Sequence, residues 1–576
     1  MIILGINAYH ADSSACLIKD GEIIAAVEEE RFTRDKHWAG FPTNSIVFCL
    51  NQANLTIYDI DFITTAKDPK ANFFNKIKYS ITNVLSFKFI YNRIVNLSRF
   101  SSLRKDFIKN LKLEDELFKT TIINVEHHNS HLASSFFASN FEKSALLSID
   151  GFGDFTSTAL GFGINNKISV DKRILYPNSI GIFYTASTQF LGFNNYGDEY
   201  KIMGLAAYGK PIYKSNLLEI IDYNGSEINL KKQYFNHFSS GSVSTDWNNG
   251  TPKILKLWTE KWINLFGKSR LNNEKINQFH CDFAASVQSV TEDIIINLAN
   301  YLYEKYNCEN LCLSGGVAQN SLANGKIINK TKFKSIYVPS APHDSGLALG
   351  SALYHYNSNL NYSRIKFIKS AFYGGSYNEE EICSYLDSKK INYKIYSEKH
   401  LFSYVAKSIE NGNVVGWFQD RSEFGPRALG NRSILMDPRR NDAKDILNKK
   451  IKKRESFRPF APSILKEFGE EYFENYKDSY FMQSVFLIKK EKRDIIPAVT
   501  HIDGTGRLQS VDKEISPKFY ELIYQFYKNT NVPVLLNTSF NENEPIVESY
   551  EDAINCYLRT NMDMLVLNNV VLARKN

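Results

Sequence analysis

The sequence predicts an α/β fold on three observations, each an apolar strand pattern that ends in small or polar residues and leads into a helical pattern. These are "KSALLSID" before "GFGD", "NLCLS" before "GGVAQNSLANGKI", and "SIYVPSAP" before "HDSGLALGSALYHY". Strand, turn and helix units of this kind build open sheets that bind ligands at the carboxyl ends of their strands. We therefore expect ligand-binding residues in these three turns.

The chain opens with a predicted β-hairpin. The segments "IILGIN" and "SACLIKDGEIIAAVEEE" are rich in β-formers, and Asp20-Gly21 is a type I′ turn signal between alternating apolar residues. Farther along, residues 66–112 are basic and aromatic and are predicted to be helical, whereas residues 211–275 have weak periodicity and are typical of an insertion. Neither of these two segments contains a motif that indicates a function.

Length sets the domain organisation. A chain of 576 residues exceeds what one hydrophobic core supports, and its 43% hydrophobic content is ample for globular packing. The apolar pattern weakens at "HYNSNLNYSRIKF" and restarts at "FYGGSY". We predict a first domain over residues 1–355, a linker over 356–370 and a second domain over 371–576, which fits ordinary domain sizes. No internal repeat is visible in the sequence.

Charge and cysteine content narrow the function classes. The 69 Lys and Arg residues against 62 Asp and Glu give a net charge of +7, which favours anionic ligands such as nucleotides but is too small for a dedicated nucleic-acid binder. The seven cysteines form no Cys-x-x-Cys pair, which indicates reduced thiols and a cytoplasmic location. The N-terminus soon turns polar and no apolar run reaches about 18 residues, so neither secretion nor a membrane span is predicted.

Three of the 11 histidines lie close together in "VEHHNSHLASSFFAS", residues 125–139. On a helix, His127 and His131 share one face and can both bind one ion. Asp150 and Asp344, each at the end of a predicted strand, complete a mixed nitrogen and oxygen ligand set that suits Fe(II), Zn or Mn. The alternative is that the histidines cap or line a helix face without a metal, and the pattern alone leaves both open.

Two glycine-rich turns are candidates for a phosphate cradle. "DGFGD" (residues 150–154) and "LSGGVAQN" (residues 313–320) follow predicted strands and let backbone amides approach phosphate oxygens. Tight-turn geometry explains either turn alone better, whereas the two together favour phosphate binding. The candidate residues are Gly151, Gly153, Ser314, Gly315, Gly316 and Asn320.

Basic residues are concentrated in two segments of the C-terminal half, "GWFQDRSEFGPRALGNRSILMDPRR" and "KKRESFRPFAPSIL". They alternate with Gly, Pro and Phe rather than with acidic partners, which predicts an anion site more strongly than a solvated basic surface. They are Arg421, Arg427, Arg432, Lys452, Arg454 and Arg458. The later segment "VPVLLNTSFN" ends an apolar strand in Asn537, Thr538 and Ser539, which either bind a nucleotide or close a turn.

Ten segments together resemble the NodU-type O-carbamoyltransferases, a family whose members carbamoylate nodulation factors, aminoglycosides and other natural products. In order they are "GINAYHADSSACL", "EEERFTRDKH", "HHNSHLASSFFAS", "IDGFGD", "KIMGLAAYG", "LSGGVAQN", "PHDSGLALGSAL", "EFGPRALGNRSIL", "RESFRPFAPSIL" and "LLNTSFN". The resemblance implies an N-terminal actin-like, sugar-kinase-like ATPase fold, related to the threonylcarbamoyl transferase that modifies tRNA. It also implies a C-terminal YrdC-like α/β domain with a twisted, open sheet.

The resemblance also implies a two-step reaction. In the C-terminal domain, carbamoyl phosphate is cleaved to carbamate, which attacks ATP, carried with Mg, to give carbamoyl-adenylate and pyrophosphate. In the N-terminal domain, an acceptor hydroxyl attacks the carbamoyl group beside a metal, expected to be Fe(II). The implied metal ligands are His127, His131, Asp150 and Asp344.

Further roles follow from the resemblance alone. His10 and Asp12 are candidates for acceptor contact and proton removal, and Lys36 for holding the adenylate. Family members often place the Asp next to the first histidine, whereas Ala11 intervenes here, so the choice of base stays open. The residues expected to bind nucleotide or carbamoyl-adenylate are Gly151, Gly153, Ser314, Gly315, Gly316, Asn320, Arg421, Arg427, Lys452, Arg454, Arg507, Asn537 and Ser539.

The expected partners are ATP, carbamoyl phosphate and a hydroxylated small-molecule or sugar acceptor, with neither a membrane nor a nucleic acid. A basic scaffold or RNA-binding protein is the non-enzymatic alternative, which the ordered strand ends and modest charge disfavour. A tRNA threonylcarbamoyl-type transferase and an actin-like small-molecule kinase are the enzymatic alternatives. The second domain argues against the kinase, and the acceptor and oligomeric state are not predicted.

Overall fold

The computed structural model describes residues 1–82, 103–240, 243–245 and 250–574. It divides into two compact units, Met1–Ile368 (unit 1) and Lys369–Asn576 (unit 2). Part of the segment predicted to be helical, residues 83–102, lies outside the described residues. No helix among the described residues combines the length and the apolar character that a membrane crossing requires.

Unit 1 alternates strands and helices along the chain. Its strands are β1 (Ile2–Asn7), β2 (Ser14–Lys19), β3 (Glu22–Glu28), β4 (Phe62–Thr65), β5 (Thr121–Asn124), β6 (Lys143–Gly153), β7 (Thr156–Ile164), β8 (Lys167–Leu175), β9 (Ile221–Asn224), β10 (Glu227–Leu230), β11 (Ser244–Thr245), β12 (Lys253–Ile254), β13 (Asn310–Ser314) and β14 (Ser335–Tyr337). Its helices are α1 (Glu30–Thr33), α2 (Thr43–Gln52), α3 (Phe73–Thr82), α4 (Leu103–Leu111), α5 (His127–Phe136), α6 (Ile180–Phe190), α7 (Glu199–Ala206), α8 (Lys214–Leu217), α9 (His237–Ser240), α10 (Lys261–Phe266), α11 (Gln278–Tyr306), α12 (Ser321–Lys330) and α13 (Leu347–Leu353).

Two five-stranded sheets in unit 1 share one topology. The first has the order β3-β2-β1-β4-β5 and the second the order β14-β13-β6-β7-β8. In each, three antiparallel strands are followed by two parallel strands that pair beside the first strand. This duplicated sheet confirms the predicted α/β, actin-like class. The expectation of no internal repeat is wrong at the level of topology, because strand order can be repeated while the side chains differ.

The predicted first hairpin is confirmed in β2 and β3. Asp20 and Gly21 connect the two strands with φ values of 50° and 84°, and a type I′ turn requires positive φ at both central residues. The segment 211–275 forms α8 to α10 and the two-stranded ribbons β9–β10 and β11–β12. Within that segment, residues 241–242 and 246–249 lie outside the described part of the chain.

Helix α13 is held unusually close to both of its neighbours. A Cβ atom at Gly5 of β1 would overlap the carbonyl of Ala348, and one at Gly350 would overlap the carbonyl of Ser130 in α5. Glycine therefore permits a backbone approach that any larger residue would prevent. As a result, the turn that begins at Asp344 and precedes α13 lies beside the first turns of α5.

Unit 2 is built on one large mixed sheet. Its strands are β15 (Lys394–Ile395), β16 (Val415–Phe418), β17 (Arg432–Met436), β18 (Ala461–Leu465), β19 (Val485–Leu487), β20 (Thr505–Arg507), β21 (Gln509–Val511), β22 (Val534–Ser539), β23 (Met564–Leu567) and β24 (Val570–Ala573). Its helices are α14 (Glu379–Ser388), α15 (Glu398–Glu410), α16 (Ala443–Leu447), α17 (Gly469–Tyr472), α18 (Lys490–Arg493), α19 (Pro517–Thr530) and α20 (Tyr550–Arg559). The sheet order is β15-β24-β23-β16-β17-β22-β18-β21, and β19 pairs with β20 in a separate ribbon.

Helix α19 packs into the core of unit 2 through one apolar face. Its residues Phe519, Leu522, Ile523 and Phe526 are all buried. Their spacing of three and four residues places them on one helical face, which packs into the core of the unit.

The sequence predicts Arg432 as part of an anion site, but in the structure its side chain bonds within the protein. The side chain is fully buried and donates to the carbonyls of Gln419 at 2.6 Å and Gly375 at 2.7 Å. Its guanidinium also lies 3.6 Å from the ring centroid of Phe418. Backbone carbonyls therefore take the place of the phosphate oxygens expected there, and Arg432 stabilises the fold of unit 2.

We predict that Arg432→Met destabilises unit 2 by about 3 kcal/mol or more, because several buried carbonyls lose their donor at once. Differential scanning calorimetry of the full chain measures the change. Arg440→Met is the control, because Arg440 is only partly buried and pairs with Asp442 at 2.6 Å, which is worth at most about 1 kcal/mol. Equal effects of the two substitutions would contradict the structural role of Arg432.

Candidate metal centre and anion site

Four side chains that the sequence singles out meet in unit 1. His127 and His131 lie one turn apart on α5, Asp150 lies in β6, and Asp344 opens the turn before α13. All four are buried, and each offers one nitrogen or oxygen atom within 4.8 Å of the others. His127 Nε2 is 3.1 Å from Asp150 Oδ2, and His131 Nε2 is 3.4 Å from Asp344 Oδ1. We call these four residues the histidine–aspartate cluster.

The spacing of these atoms fits a shared metal ion. Ligand atoms about 2.0–2.2 Å from one metal lie roughly 3.0–3.5 Å apart in tetrahedral or octahedral geometry. His131 Nε2 and Asp344 Oδ1 are buried, yet neither has a hydrogen-bond partner within the described part of the chain. Leaving such atoms unsatisfied costs about 1–3 kcal/mol each, and coordination to a cation would satisfy both. Two imidazole nitrogens with two carboxylate oxygens suit Fe(II), Zn or Mn.

Electrostatics in the cluster favour a positive charge at its centre. Burial lowers the pKa of His131, but the carboxylates of Asp150 and Asp344 outweigh burial and raise that pKa to about 9. Burial raises the pKa of Asp150, yet His127 and His131 hold it well below its usual range. Burial and the charge of Asp150 likewise oppose ionisation of Asp344, while His10 and His131 keep its pKa below normal. Both carboxylates therefore stay ionised and attract a cation.

The glycine-rich turns hold the cluster in place. A Cβ atom at Gly153 would overlap the ring of His127, so glycine is needed where that imidazole lies against β6. The backbone N–H of Gly316 donates to Asp150 Oδ1 at 3.0 Å. Asp154 Oδ2 accepts the backbone N–H of His127 at 3.0 Å and fixes the start of α5. These contacts orient the metal-ligand candidates. The segment 150–153, predicted as a turn after the strand, instead forms the irregular end of β6.

The other predicted cradle residues are placed differently. Gly151 faces open space, since a Cβ atom there would meet nothing within 4 Å. The N–H of Gly315 donates to the carbonyl of Pro342 at 2.8 Å, and Ser314 is fully buried. Asn320 exchanges two hydrogen bonds with Gln288, at 3.0 and 2.9 Å. Nucleotide binding by these residues stays a prediction.

The third histidine of the motif, His128, points away from the cluster. Its Nδ1 lies 2.9 Å from Ser148 Oγ and its Nε2 lies 3.1 Å from the carbonyl of Thr156. Burial and the neighbouring His127 and His131 hold its pKa well below the usual value. His128 is therefore a neutral, satisfied core residue.

His10, a predicted catalytic residue that lies just after β1, contacts Asp344 of the histidine–aspartate cluster. Its Nδ1 lies 2.5 Å from Asp344 Oδ2, the oxygen opposite to the one that faces His131. Burial lowers the pKa of His10, but the charge of Asp344 outweighs this effect and raises it. His10 therefore fixes the orientation of the Asp344 carboxylate.

Asp12 has a partner that the sequence reasoning missed. Asp12 Oδ1 lies 2.8 Å from His37 Nδ1, and Glu30 Oε2 accepts the backbone N–H of His37 at 2.8 Å. Burial lowers the pKa of His37, but Asp12 outweighs it and raises that pKa to about 9. Asp12, Glu30 and His37 also offer atoms within 4.8 Å of one another. In the histidine–aspartate cluster, His131 Nε2 and Asp344 Oδ1 have no hydrogen-bond partner among the described residues, so that cluster is the better candidate for a metal.

Lys36 and Tyr196 lie beside this second group. Lys36 is exposed, and its charge opposes protonation of the adjacent His37. The ring of Tyr196, which sequence reasoning also missed, lies 5.3 Å from the His37 ring. Burial and the charge of Asp344 hold the pKa of Tyr196 well above its usual value. No spacing in the sequence indicates that Tyr196 comes near this site.

Four arginines from separate segments approach one another in unit 2. Arg427 lies between β16 and β17, Arg454 and Arg458 lie before β18, and Arg507 ends β20. Burial and repulsion by the other three hold the pKa of Arg507 well below its usual range. Burial with the charge of Arg458 lowers the pKa of Arg427 to about 10. We call these residues the arginine cluster.

In the part of unit 2 that the structure describes, Nε of Arg427 and Nε of Arg507 are buried without a hydrogen-bond partner. Like charges held this close are stabilised by an anion, and the planar fork of arginine suits phosphate. His501 lies near as well, where burial and Arg507 lower its pKa to about 4. Sequence reasoning missed His501, because nothing in its local pattern indicates proximity to the arginines.

Lys452 and Ser539 are joined within the protein. The ammonium of Lys452 donates to the carbonyl of Ser539 at 2.6 Å and to Asn541 Oδ1 at 2.6 Å. Lys452 is buried, so these bonds fix the end of β22. Asn541 is a further residue that the sequence reasoning missed.

Arg421 and Asn537 also bond within the protein. Arg421 donates to the carbonyls of Tyr373 and Gly374 at 2.6 and 2.9 Å. Asn537 donates through Nδ2 to Ser463 Oγ at 3.1 Å, whereas its buried Oδ1 has no hydrogen-bond partner among the described residues. Ligand contact by Arg421, Asn537, Lys452 and Ser539 stays a prediction.

Comparison with known proteins identifies relatives along nearly the whole chain. Residues 2–353 match the family described as Carbamoyltransferase N-terminus, and residues 406–574 match Carbamoyltransferase C-terminus. Nodulation protein NolNO of Sinorhizobium fredii is 35% identical, over 99% of this chain and 80% of its own length. Nodulation protein NolO of Bradyrhizobium diazoefficiens is 36% identical, over 78% of this chain and 79% of its own length. An uncharacterised protein of Synechocystis is 39% identical, over 99% and 96% respectively.

Solved structures overlap the chain weakly. HypF of T. kodakarensis gives a TM-score of 0.30 at 13% identity, covering 61% of this chain and 47% of its own. Component A of (R)-2-hydroxyglutaryl-CoA dehydratase from Acidaminococcus fermentans gives 0.32 at 16% identity, covering 62% and 97%. The family assignment therefore depends on the sequence matches.

We predict that Asp344→Asn lowers the affinity for Fe(II) by at least about 100-fold, because an anionic ligand becomes a neutral amide of similar volume. Anaerobic equilibrium dialysis followed by elemental analysis measures the bound metal. His37→Gln is the matched control, since His37 belongs to the second, hydrogen-bonded group, and this variant should retain the metal. Equal metal content in Asp344→Asn and the unsubstituted protein would contradict the proposed ligand set.

Proposed function

The chain belongs to the carbamoyltransferase family, and we propose that it is an ATP-dependent O-carbamoyltransferase with two successive reactions. Unit 2 makes carbamoyl-adenylate from carbamoyl phosphate and ATP, and unit 1 transfers the carbamoyl group to an acceptor hydroxyl. The observation that carries the proposal is the histidine–aspartate cluster, in which buried, ionised carboxylates and an unpaired imidazole nitrogen surround one point. The arginine cluster supports the first reaction independently.

The arginine cluster suits the chemistry of phosphate groups. Water attacks carbamoyl phosphate, phosphate leaves and carbamate forms. An oxygen of the carbamate then attacks the α-phosphorus of ATP while pyrophosphate leaves. Negative charge accumulates on phosphate oxygens in both steps, and pre-positioned guanidinium groups stabilise that charge. Arg427 and Arg507 have donors available in this region, and Mg would accompany the ATP.

The histidine–aspartate cluster suits the transfer step. His127, His131, Asp150 and Asp344 would hold Fe(II), which when bound polarises the carbamoyl carbonyl. The acceptor oxygen attacks the carbonyl carbon, the bond from that carbon to the phosphate oxygen breaks, and AMP leaves. The proton of the acceptor hydroxyl goes to a nearby base.

His10 and Asp12 remain the two candidates for that base. His10 Nδ1 is engaged by Asp344, so His10 would take a proton through Nε2. Asp12 is ionised, because burial raises its pKa but His37 outweighs burial and lowers it, and its bond to His37 orients the carboxylate. A sugar or natural-product hydroxyl is the proposed acceptor. The reduced thiols expected from the sequence support a cytoplasmic location.

We predict that Arg454→Ala lowers carbamoyl-adenylate formation by about two decades, since one lost contact to developing phosphate charge costs roughly 3 kcal/mol. Mass spectrometry of reactions with ATP and carbamoyl phosphate measures the product. Arg440→Ala is the control, because Arg440 is only partly buried and is paired with Asp442. The iron content of both variants should be unchanged. Normal adenylate formation by Arg454→Ala would refute its role.

We predict that residues 369–576, produced alone, convert carbamoyl phosphate in an ATP-dependent reaction without modifying any acceptor. The reason is that unit 2 has its own core and contains the arginine cluster. Phosphate release and carbamoyl-adenylate are measured on the same samples. A folded fragment that is inert with both substrates would show that adenylate formation needs residues of unit 1.

A further inference from the structure

Helix α3 presents apolar side chains to solvent. Phe73 is 55% exposed, Phe74 85%, Ile77 42% and Ile81 73%. Spacings of three and four residues place these side chains on one side of the helix. Large apolar groups clustered in this way on a protein surface mark a binding face. We call these four residues the α3 face.

The opposite side of α3 is attached to unit 1, which fixes the direction of the α3 face. Tyr79 packs edge-on against the rings of Phe155 and Tyr176, with ring centroids 5.8 and 5.2 Å apart. Just before the helix, Asn72 Nδ2 donates to the carbonyl of Asp154 at 2.9 Å and to Thr156 Oγ1 at 3.1 Å. The helix is therefore anchored by its inner side and its first turn, with the apolar side chains directed away.

The stretch of sequence that contains α3 carries a strong positive charge. Residues 66–112 contain eleven Lys and Arg against two Asp, whereas the whole chain has a net charge of only +7. The rest of the chain therefore has a slight negative charge. Lys70 and Lys78 are exposed next to the α3 face. An amphipathic helix with Phe and Ile on one side and Lys at its edges is typical of binding to a membrane surface.

We propose that the α3 face docks on an anionic lipid surface. Phe73, Phe74, Ile77 and Ile81 enter the boundary between head groups and acyl chains, while Lys70 and Lys78 contact the anionic head groups. The described part of α3, Phe73–Thr82, would lie along the membrane surface with its apolar side chains directed inward. Peripheral binding of this kind goes beyond the proposed function and requires neither a metal nor a substrate.

Charge complementarity favours an anionic lipid surface over a second copy of the chain as the partner of the α3 face. A second copy of the chain would bring one basic helix against another, which is unfavourable. Three of the eleven basic residues counted above lie in residues 83–102, and that segment contains no acidic residue. Anionic lipids attract basic residues near the surface and accept apolar side chains beneath the head groups.

The test is flotation of the full chain with vesicles of phosphatidylcholine alone or mixed with phosphatidylglycerol. We expect binding to the mixed vesicles, weaker binding as salt is raised, and little binding to phosphatidylcholine alone. Phe74→Glu with Ile81→Glu should reduce the bound fraction by about 10-fold or more. Ile212→Glu with Leu271→Glu is the matched control, because these residues are 60% and 58% exposed elsewhere in unit 1, and it should bind normally.

Other outcomes would overturn the proposal. No binding of the unsubstituted chain to mixed vesicles, or equal loss in the control, would exclude the α3 face as a lipid site. If Phe74→Glu with Ile81→Glu unfolds or aggregates, the face is covered by the chain itself; if it converts a dimer to a monomer, the occupant is a second copy. Lys70→Glu with Lys78→Glu leaves the apolar side chains intact and should also weaken vesicle binding. Metal content and carbamoyl-adenylate formation should stay unchanged, so this proposal and the proposed function can fail separately.

Discussion

The carboxylates of Asp150 and Asp344 are buried near each other, and compensation of their charge is the constraint on which unit 1 depends. Buried charges are tolerated only when paired or coordinated. The compensating imidazoles come from α5, so α5 must pack against both β6 and the turn before α13. Gly153 and Gly350 permit this approach, because a Cβ atom at either position would overlap a neighbouring group. The need for glycine at positions 153 and 350 thus follows from the position of two charges.

Unit 1 buries negative charge, whereas the arginine cluster of unit 2 brings positive charges together. Burial and repulsion by neighbouring arginines lower the pKa of Arg427 and of Arg507. A bound anionic substrate would relieve that repulsion. A site that binds phosphates and a site that binds a cation are what the two steps of carbamoyl transfer require. In the proposed function, a cation would compensate the carboxylates of unit 1 and phosphate groups would compensate the arginines of unit 2.

Much of the first site could be predicted from the sequence. The helical spacing of His127 and His131 follows from 3.6 residues per turn, and Asp150 lies near the carboxyl end of an apolar strand. Spacing could not show that Asp12 bonds to His37 or that Lys452 is held inside unit 2, because such partners are distant in sequence. The repeated sheet topology was hidden for a similar reason, since hydrogen-bonded strand order places few demands on side-chain identity.

The most direct test of the account locates the metal itself. Crystals of the full chain, grown anaerobically with Fe(II), can be measured on both sides of the iron absorption edge. The account predicts one anomalous peak within about 2.0–2.3 Å of His127 Nε2, His131 Nε2 and oxygens of Asp150 and Asp344. A peak at Asp12 and His37 instead, or none at the histidine–aspartate cluster, would contradict it.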